Sequence, residues 1–168
     1  LGYDTLALEG LATVPATTAA SLQARGYPQY GDGFYVRDPA FARFIRSALE
    51  KGFAPFAYEY NPPRNEGVKV TYSREEGQAR NLTRYLAVHP TSKLLVYSGG
   101  GHLAERPLED GSKMMGQWLL ELSGIDPLTI DQNQLQPNTL LGKSIRRTDD
   151  RHETIAFFGG KPLVLGAM

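Results

Sequence analysis

The residue best placed for acid–base chemistry is His102, which directly follows three glycines, Gly99, Gly100 and Gly101. Glycines at the end of an apolar run allow unusual backbone angles and the close approach of another group. A histidine just beyond them would be partly exposed, which suits a general base, a proton shuttle or a metal ligand. A flexible turn that carries an incidental histidine is the competing interpretation.

Two carboxylates end other apolar runs. Glu9 follows Leu6–Leu8, and Glu59 closes a run that reads Phe-Ala-Tyr-Glu. A carboxylate at the end of an apolar strand is costly unless it is hydrogen-bonded, paired or functional. A salt-bridged strand end explains Glu9 as well as a site does, and Glu59 is either a second site carboxylate or a solvated strand end.

A cation and an aromatic segment complete the candidates. Arg74 begins a helix, where the dipole disfavours a positive charge, so it binds an anion, pairs with a carboxylate or is exposed. Residues 27–35 hold three tyrosines and one phenylalanine. This segment, with Tyr35 near its end, is interpreted as a loop that forms a lid or ligand wall, or that packs over the core.

Two common site motifs do not explain the glycines. Residues 99–104 fit G-x-G-x-x-A, but an isolated dinucleotide fingerprint is weak and no ribose-binding acid is evident. A serine-hydrolase elbow needs G-x-S-x-G, and Val96 stands where its first glycine would be.

Short β-rich runs alternate with helix-length runs, which predicts an α/β fold with a mostly parallel central sheet flanked by helices. Asp38 with Pro39 marks the start of one helix, and Ser73 with Glu76 forms a capping box at the start of another. The predicted strands are residues 4–9, 54–60, 93–98 and 127–131, with a terminal pair at 154–158 and 162–165. Because the carboxyl ends of parallel strands collect a site, we expect Glu9, Arg74 and His102 to converge at one sheet edge.

Composition limits the class of protein. The 168 residues predict one domain, residues 1–168. The 18 Lys and Arg balance the 18 Asp and Glu, which argues against a nucleic-acid partner. No apolar run reaches the roughly 18 residues of a membrane span. The absence of cysteine excludes disulfides and thiolate metal sites.

Three segments in order resemble a known superfamily. They are Leu-Glu-Gly at residues 8–10, Arg-Glu-Glu-Gly-Gln-Ala-Arg-Asn-Leu at 74–82, and Leu-Val-Tyr-Ser-Gly-Gly-Gly-His at 95–102. Together they are similar to the superfamily that joins erythromycin esterases, ChaN-like haem-binding lipoproteins and the TraB/Tiki proteases. The resemblance spans roughly residues 4–131.

The resemblance implies a hydrolase that acts on an ester or peptide bond of a small-molecule or peptide substrate. It implies that Glu9, Arg74 and His102 are catalytic, with Gly99, Gly100, Gly101, Tyr35 and Glu59 beside the substrate. Water would be activated by His and Glu, or by a divalent metal (Mn, Co or Zn) on His102 and Glu9. The alternative is a ChaN-like protein that binds haem or a small ligand through His102 or a tyrosine of residues 27–35. A periplasmic or secreted protein is favoured.

The superfamily has two G-x-x-H elements, and this chain begins after the place of the first. We therefore expect a chain that is incomplete at its N-terminus, lacks the family's first strand and is a poor catalyst until upstream sequence is restored. We also expect an open sheet edge beside residues 4–9. A missing segment, a second copy, another chain or residues 154–165 would cover that edge.

Overall fold

The computed structural model describes residues 2–61 and 72–129, together with the backbone of three strands at 143–144, 154–158 and 161–165. The chain divides into two compact units, Leu1–Gly99 and Gly100–Met168. The expectation of a single domain stays a prediction.

The first unit is built on a three-stranded parallel sheet. Its strands are β1 (Thr5–Leu8), β2 (Ala54–Ala57) and β3 (Leu94–Tyr97), in the order β2-β1-β3. Thr5 of β1 is in register with Ala54 on one side and with Leu94 on the other. Helices connect the strands, so the predicted α/β fold is confirmed.

The expectation of an open edge beside β1 is wrong. β1 lies at the centre of the sheet and is hydrogen-bonded along both sides. All four of its residues are buried, whereas β2 and β3 are only partly buried. The most buried strand takes the position with two neighbours, and strand order along the chain does not reveal this.

Three α-helices accompany this sheet: α1 (Thr18–Arg25), α2 (Pro39–Glu50) and α3 (Arg74–Val88). The predicted N-cap residues, Asp38 and Ser73, are confirmed. The Asp38 carboxylate accepts hydrogen bonds from the N–H groups of Ala40 and Phe41, with Pro39 as the first helical residue. The Ser73 hydroxyl accepts from the Glu76 N–H and fixes the first turn of α3.

The two faces of β1 meet different helices because side chains alternate along a strand. Leu6 and Leu8 join a buried cluster with residues of α1 and α2, among them Leu22 and Ile45. On the other face, the Thr5 hydroxyl lies 3.1 Å from the Tyr85 hydroxyl of α3. α3 is thereby fixed against the sheet with its first turn at the carboxyl end of the strands.

The aromatic segment predicted as a loop contains two 3₁₀ helices, Tyr30–Asp32 and Tyr35–Arg37. Asp32 is buried and accepts hydrogen bonds from Arg25 at 2.5 Å and from the Gln29 N–H at 2.6 Å. A bridge between Leu11 and Gly33 ties the segment to the chain that follows β1.

The second unit contains a 3₁₀ helix (Gly100–Leu103), α4 (Met115–Ser123) and an antiparallel sheet of β4 (Lys143–Ser144), β5 (Thr154–Phe158) and β6 (Lys161–Leu165). The predicted terminal strand pair is confirmed as β5 and β6. The strand predicted at 127–131 is wrong for residues 127–129, and the rest of it lies outside the described residues. Across the described part of the chain, no helix combines the length and apolar character needed to cross a membrane.

Candidate functional site

Residues that follow all three strands meet the first turn of α3 at the carboxyl edge of the parallel sheet. Glu9 directly follows β1, Glu59 lies two residues beyond β2, and Gly99 lies two residues beyond β3. Arg74 is the first residue of α3 and bonds to both carboxylates. We call these three side chains the Glu9–Arg74–Glu59 cluster.

The guanidinium of Arg74 joins the two carboxylates. Its Nε donates to Glu59 Oε1 at 3.0 Å and its Nη2 donates to Glu59 Oε2 at 2.6 Å, which is a two-point contact. Nη2 also donates to Glu9 Oε1 at 3.0 Å. The hydrogen bond to Glu59, followed by that to Glu9, raises the pKa of Arg74 against the opposing effect of burial. Of the three alternatives left open for Arg74, the carboxylate partner is the one found, and there are two such partners.

Glu59 is held from several directions. Besides Arg74, Oε1 of Glu59 accepts from Gln78 Nε2 at 2.9 Å and from the Tyr60 N–H at 3.0 Å. Its side chain is 11% exposed. The interpretation as a solvated strand end is therefore wrong, and Glu59 belongs to the cluster.

Glu9 is the most buried member of the cluster, at 2% exposure. Its second oxygen, Oε2, accepts from the Gly99 N–H at 2.5 Å. Its own N–H donates to the Tyr97 carbonyl at 3.1 Å, as a continuation of the β1–β3 ladder. The first glycine after β3 thus supplies a backbone donor to the carboxylate that was predicted as catalytic.

Tyr58 and Asn81 fix the segment that carries Glu59. The Tyr58 hydroxyl, fully buried, donates to the Tyr97 carbonyl at 3.0 Å, and burial raises the pKa of this phenol. Asn81 Nδ2 donates to the carbonyls of Tyr58 at 3.1 Å and Glu59 at 3.3 Å. These contacts position the carboxylate without touching it.

Tyr35 lies beside the cluster. Its ring covers Gly10, where an added Cβ would stand 2.3 Å from Tyr35 Cδ2. The charge of Glu9 is the largest cause that raises the pKa of the Tyr35 hydroxyl, and burial adds to it. Of the two roles left open for the aromatic segment, Tyr35 fits a wall beside the site.

His102, Gly100 and Gly101 belong to the second unit, where they form part of the 3₁₀ helix Gly100–Leu103. His102 is half-buried. Its convergence with Glu9 and Arg74 stays a prediction. A single 3₁₀ turn follows β3 in place of an α-helix, so the dinucleotide motif lacks the structural context that would support it.

A divalent metal does not fit Glu9 in this arrangement. Both of its oxygens already accept hydrogen bonds, one from Arg74 and one from the Gly99 N–H, so direct coordination of a metal would have to break them. Within residues 2–61 and 72–129, no group of three or more His, Asp or Glu side chains could hold a metal.

Sequence reasoning missed Gln78, Tyr58 and Asn81. One signal was present for Gln78, because residues four apart share a helix face and Arg74 was already a candidate. Tyr58 lies in an ordinary apolar strand pattern. Such a pattern does not distinguish a tyrosine whose hydroxyl donates to a carbonyl from one that only packs.

Comparison of the chain with family models, with curated proteins and with solved structures found no match. Chemically, the cluster provides two carboxylates and one guanidinium at fixed positions on the edge of a parallel sheet, which is where such sheets place their ligands.

Proposed function

We propose that this chain is a hydrolase domain that acts on an ester or peptide bond, as its sequence resemblance implies. The observation that supports this most is the burial of Glu9 beside Arg74 and the Gly99 N–H. Placing a buried ionisable group at the ligand-binding edge of a sheet is costly for stability, and such groups are concentrated at functional sites.

Within this proposal the members of the cluster bind and orient substrate. The oxygens of Glu9 and Glu59 already accept hydrogen bonds from Arg74 and from backbone N–H groups, so proton abstraction is assigned elsewhere. Arg74 holds Glu9 and Glu59 in place and limits their repulsion. The assignment of His102 as general base rests on its position in the sequence.

The test is an assay of the longest reading frame that contains this chain, with a nitrophenyl ester and with a peptide substrate. His102→Ala should lower kcat/KM at least 100-fold, because a general base contributes about 10²–10⁴-fold. His89→Ala is the matched control, since His89 directly follows α3 and its ring lies 4.4 Å from the Tyr85 ring. Circular dichroism spectra of both variants should match that of the parent.

Two results would refute the proposal: turnover by His102→Ala equal to that of His89→Ala, or no turnover above the uncatalysed rate by the parent. A haemin titration provides the comparison with the haem-binding alternative. A saturable Soret shift that His102→Ala abolishes, without hydrolysis, would assign the protein to haem binding instead.

A further inference from the structure

Aromatic side chains form a continuous wall beside the Glu9–Arg74–Glu59 cluster. The ring of Phe41 lies 6.0 Å from that of Tyr35 and 5.0 Å from that of Tyr97. Phe34 extends the wall beyond Tyr35, at 5.7 Å, and Phe44 packs against Tyr97 at 5.5 Å. Four of the five rings are exposed, all except Phe41, although large aromatic side chains are normally covered.

The wall and the cluster are adjacent. The Tyr35 ring lies against Gly10, the residue after Glu9. The Tyr97 carbonyl accepts the Glu9 N–H. The wall therefore borders the segment that carries Glu9, and the charge of the cluster acts on it at short range.

The cluster carries a net negative charge, because two carboxylates share one guanidinium. The raised pKa of Tyr35 shows that this charge extends to the wall, since Glu9 outweighs the opposite effect of Arg74 at that hydroxyl. Arg74 already donates to both carboxylates, which neutralises much of its attraction for a further anion.

One buried acceptor at the cluster has no donor. Gln78 is fully buried and its Nε2 donates to Glu59, which fixes the orientation of the amide. Its Oε1 then has no hydrogen-bond partner, in the part of the chain that is described. Because this oxygen is closed off from solvent, it belongs to the internal packing of the cluster and not to a surface that contacts a ligand.

We propose that the aromatic wall and the Glu9–Arg74–Glu59 cluster bind a protonated amine carried on a ring or other apolar body. The rings provide stacking and cation–π attraction, and the net negative charge of the cluster attracts the ammonium group. This inference rests on the proposed function, for which it names the substrate class.

The test uses three probes of similar shape and different charge: benzylammonium, benzyl alcohol and benzoate. Binding is measured at pH 7 from NMR shifts of the backbone amides of the intact chain. Benzylammonium should saturate the site with an affinity at least tenfold above that of benzyl alcohol, and benzoate should not bind. The affinity for benzylammonium should fall as salt is added, because salt screens the attraction between charges.

Variants then locate the site. Tyr35→Leu should weaken benzylammonium binding at least tenfold, whereas Tyr35→Phe, which keeps the ring, should not. Tyr27→Leu is the matched control, because Tyr27 lies in the same segment with 42% exposure against 40% for Tyr35. Tyr35→Phe should retain the fold even if Tyr35→Leu does not.

Equal affinity for benzylammonium and benzyl alcohol, or tighter binding of benzoate, would overturn the inference. So would equal effects of Tyr35→Leu and Tyr27→Leu. Because these measurements involve no turnover, the amine site can fail while hydrolysis persists, and hydrolysis can fail while the amine site persists.

Discussion

Arg74 Nη2 lies 3.0 Å from Glu9 Oε1, although 65 positions separate the two residues along the chain. The contact joins the end of the central strand to the first turn of α3. It also unites two residues that were predicted separately, one as a costly strand-end carboxylate and the other as a cation at an unfavourable helix position. Each compensates the electrostatic cost of the other.

Replacing Arg74 with methionine should lower the free energy of unfolding by about 2 kcal/mol at pH 7. Removing one partner of a buried ion pair costs roughly 3–5 kcal/mol, and the exposure of Arg74 justifies a smaller value. The loss arises because Glu9 and Glu59 are left close together without their shared cation. Urea unfolding measures it.

Arg80→Met is the control for this change. Arg80 lies on the same helix with 37% side-chain exposure against 38% for Arg74, and it pairs with Glu76 one turn away. Such surface pairs contribute about 0.3–0.5 kcal/mol. Equal losses in the two variants would show that Arg74 contributes no more than a surface ion pair.

Local patterns predicted much of the fold of the first unit. The apolar runs gave the three parallel strands, and Asp38 and Ser73 marked the starts of two helices, because caps depend on a few neighbouring residues. The central position of β1 could not be predicted in this way. It depends on which strand buries both faces best, and that is a property of the assembled sheet.

The candidate site was predicted in part for the same reason. Glu9 and Arg74 stand out because each is unfavourable in its local element, and such a residue requires a distant partner. Glu59 was ambiguous, since its run fits exposure as well as burial. The unpaired Oε1 of Gln78 could not be predicted, because it depends on which groups surround the amide, and the sequence of a helix does not specify them.

Tyr58→Phe should cost about 1 kcal/mol at pH 8 through loss of one buried hydrogen bond. The Tyr97 carbonyl keeps a donor, the Glu9 N–H, so the cost stays modest. The pKa of Tyr58 is raised in the folded state. Below about pH 10, which is the pKa of an unfolded tyrosine, the hydroxyl is neutral in both states and its contribution to stability is complete. That contribution is lost as the pH rises through the folded value.

The stability difference between the parent and Tyr58→Phe should therefore be constant from pH 7 to about 10 and shrink above it. Guanidinium unfolding at closely spaced pH values measures this difference. Tyr27→Phe, at an exposed position, should differ little from the parent throughout. A difference for Tyr58→Phe that grows above pH 10 would contradict the role assigned to burial.

Gly10→Ala should destabilise the protein more than Gly26→Ala, although both glycines have nearly the same positive φ, 75° and 74°. Alanine at Gly26 meets no atom within 4 Å, so its cost is the backbone strain alone, about 1–2 kcal/mol. Alanine at Gly10 meets the Tyr35 ring and adds about 1–3 kcal/mol of overpacking.

Thermal unfolding compares the two alanine variants. Displacement of the Tyr35 ring should also weaken benzylammonium binding in Gly10→Ala and leave it unchanged in Gly26→Ala. Equal stabilities would show that the ring moves aside freely and is no fixed wall.

Glu9→Gln should lower the pKa of the Tyr35 hydroxyl toward its ordinary value. Ionisation of tyrosine creates an anion, and the charge of Glu9 is the largest cause that opposes it, so removing that charge favours the phenolate. The titration is followed by NMR of the tyrosine ring carbons from pH 8 to 12, with Tyr35→Phe to assign the signal. Glu76→Gln is the control, since Glu76 pairs with Arg80. A Tyr35 pKa that stays unchanged or rises in Glu9→Gln would mean that no net negative potential reaches the aromatic wall, and its preference for a cation would then have no electrostatic basis.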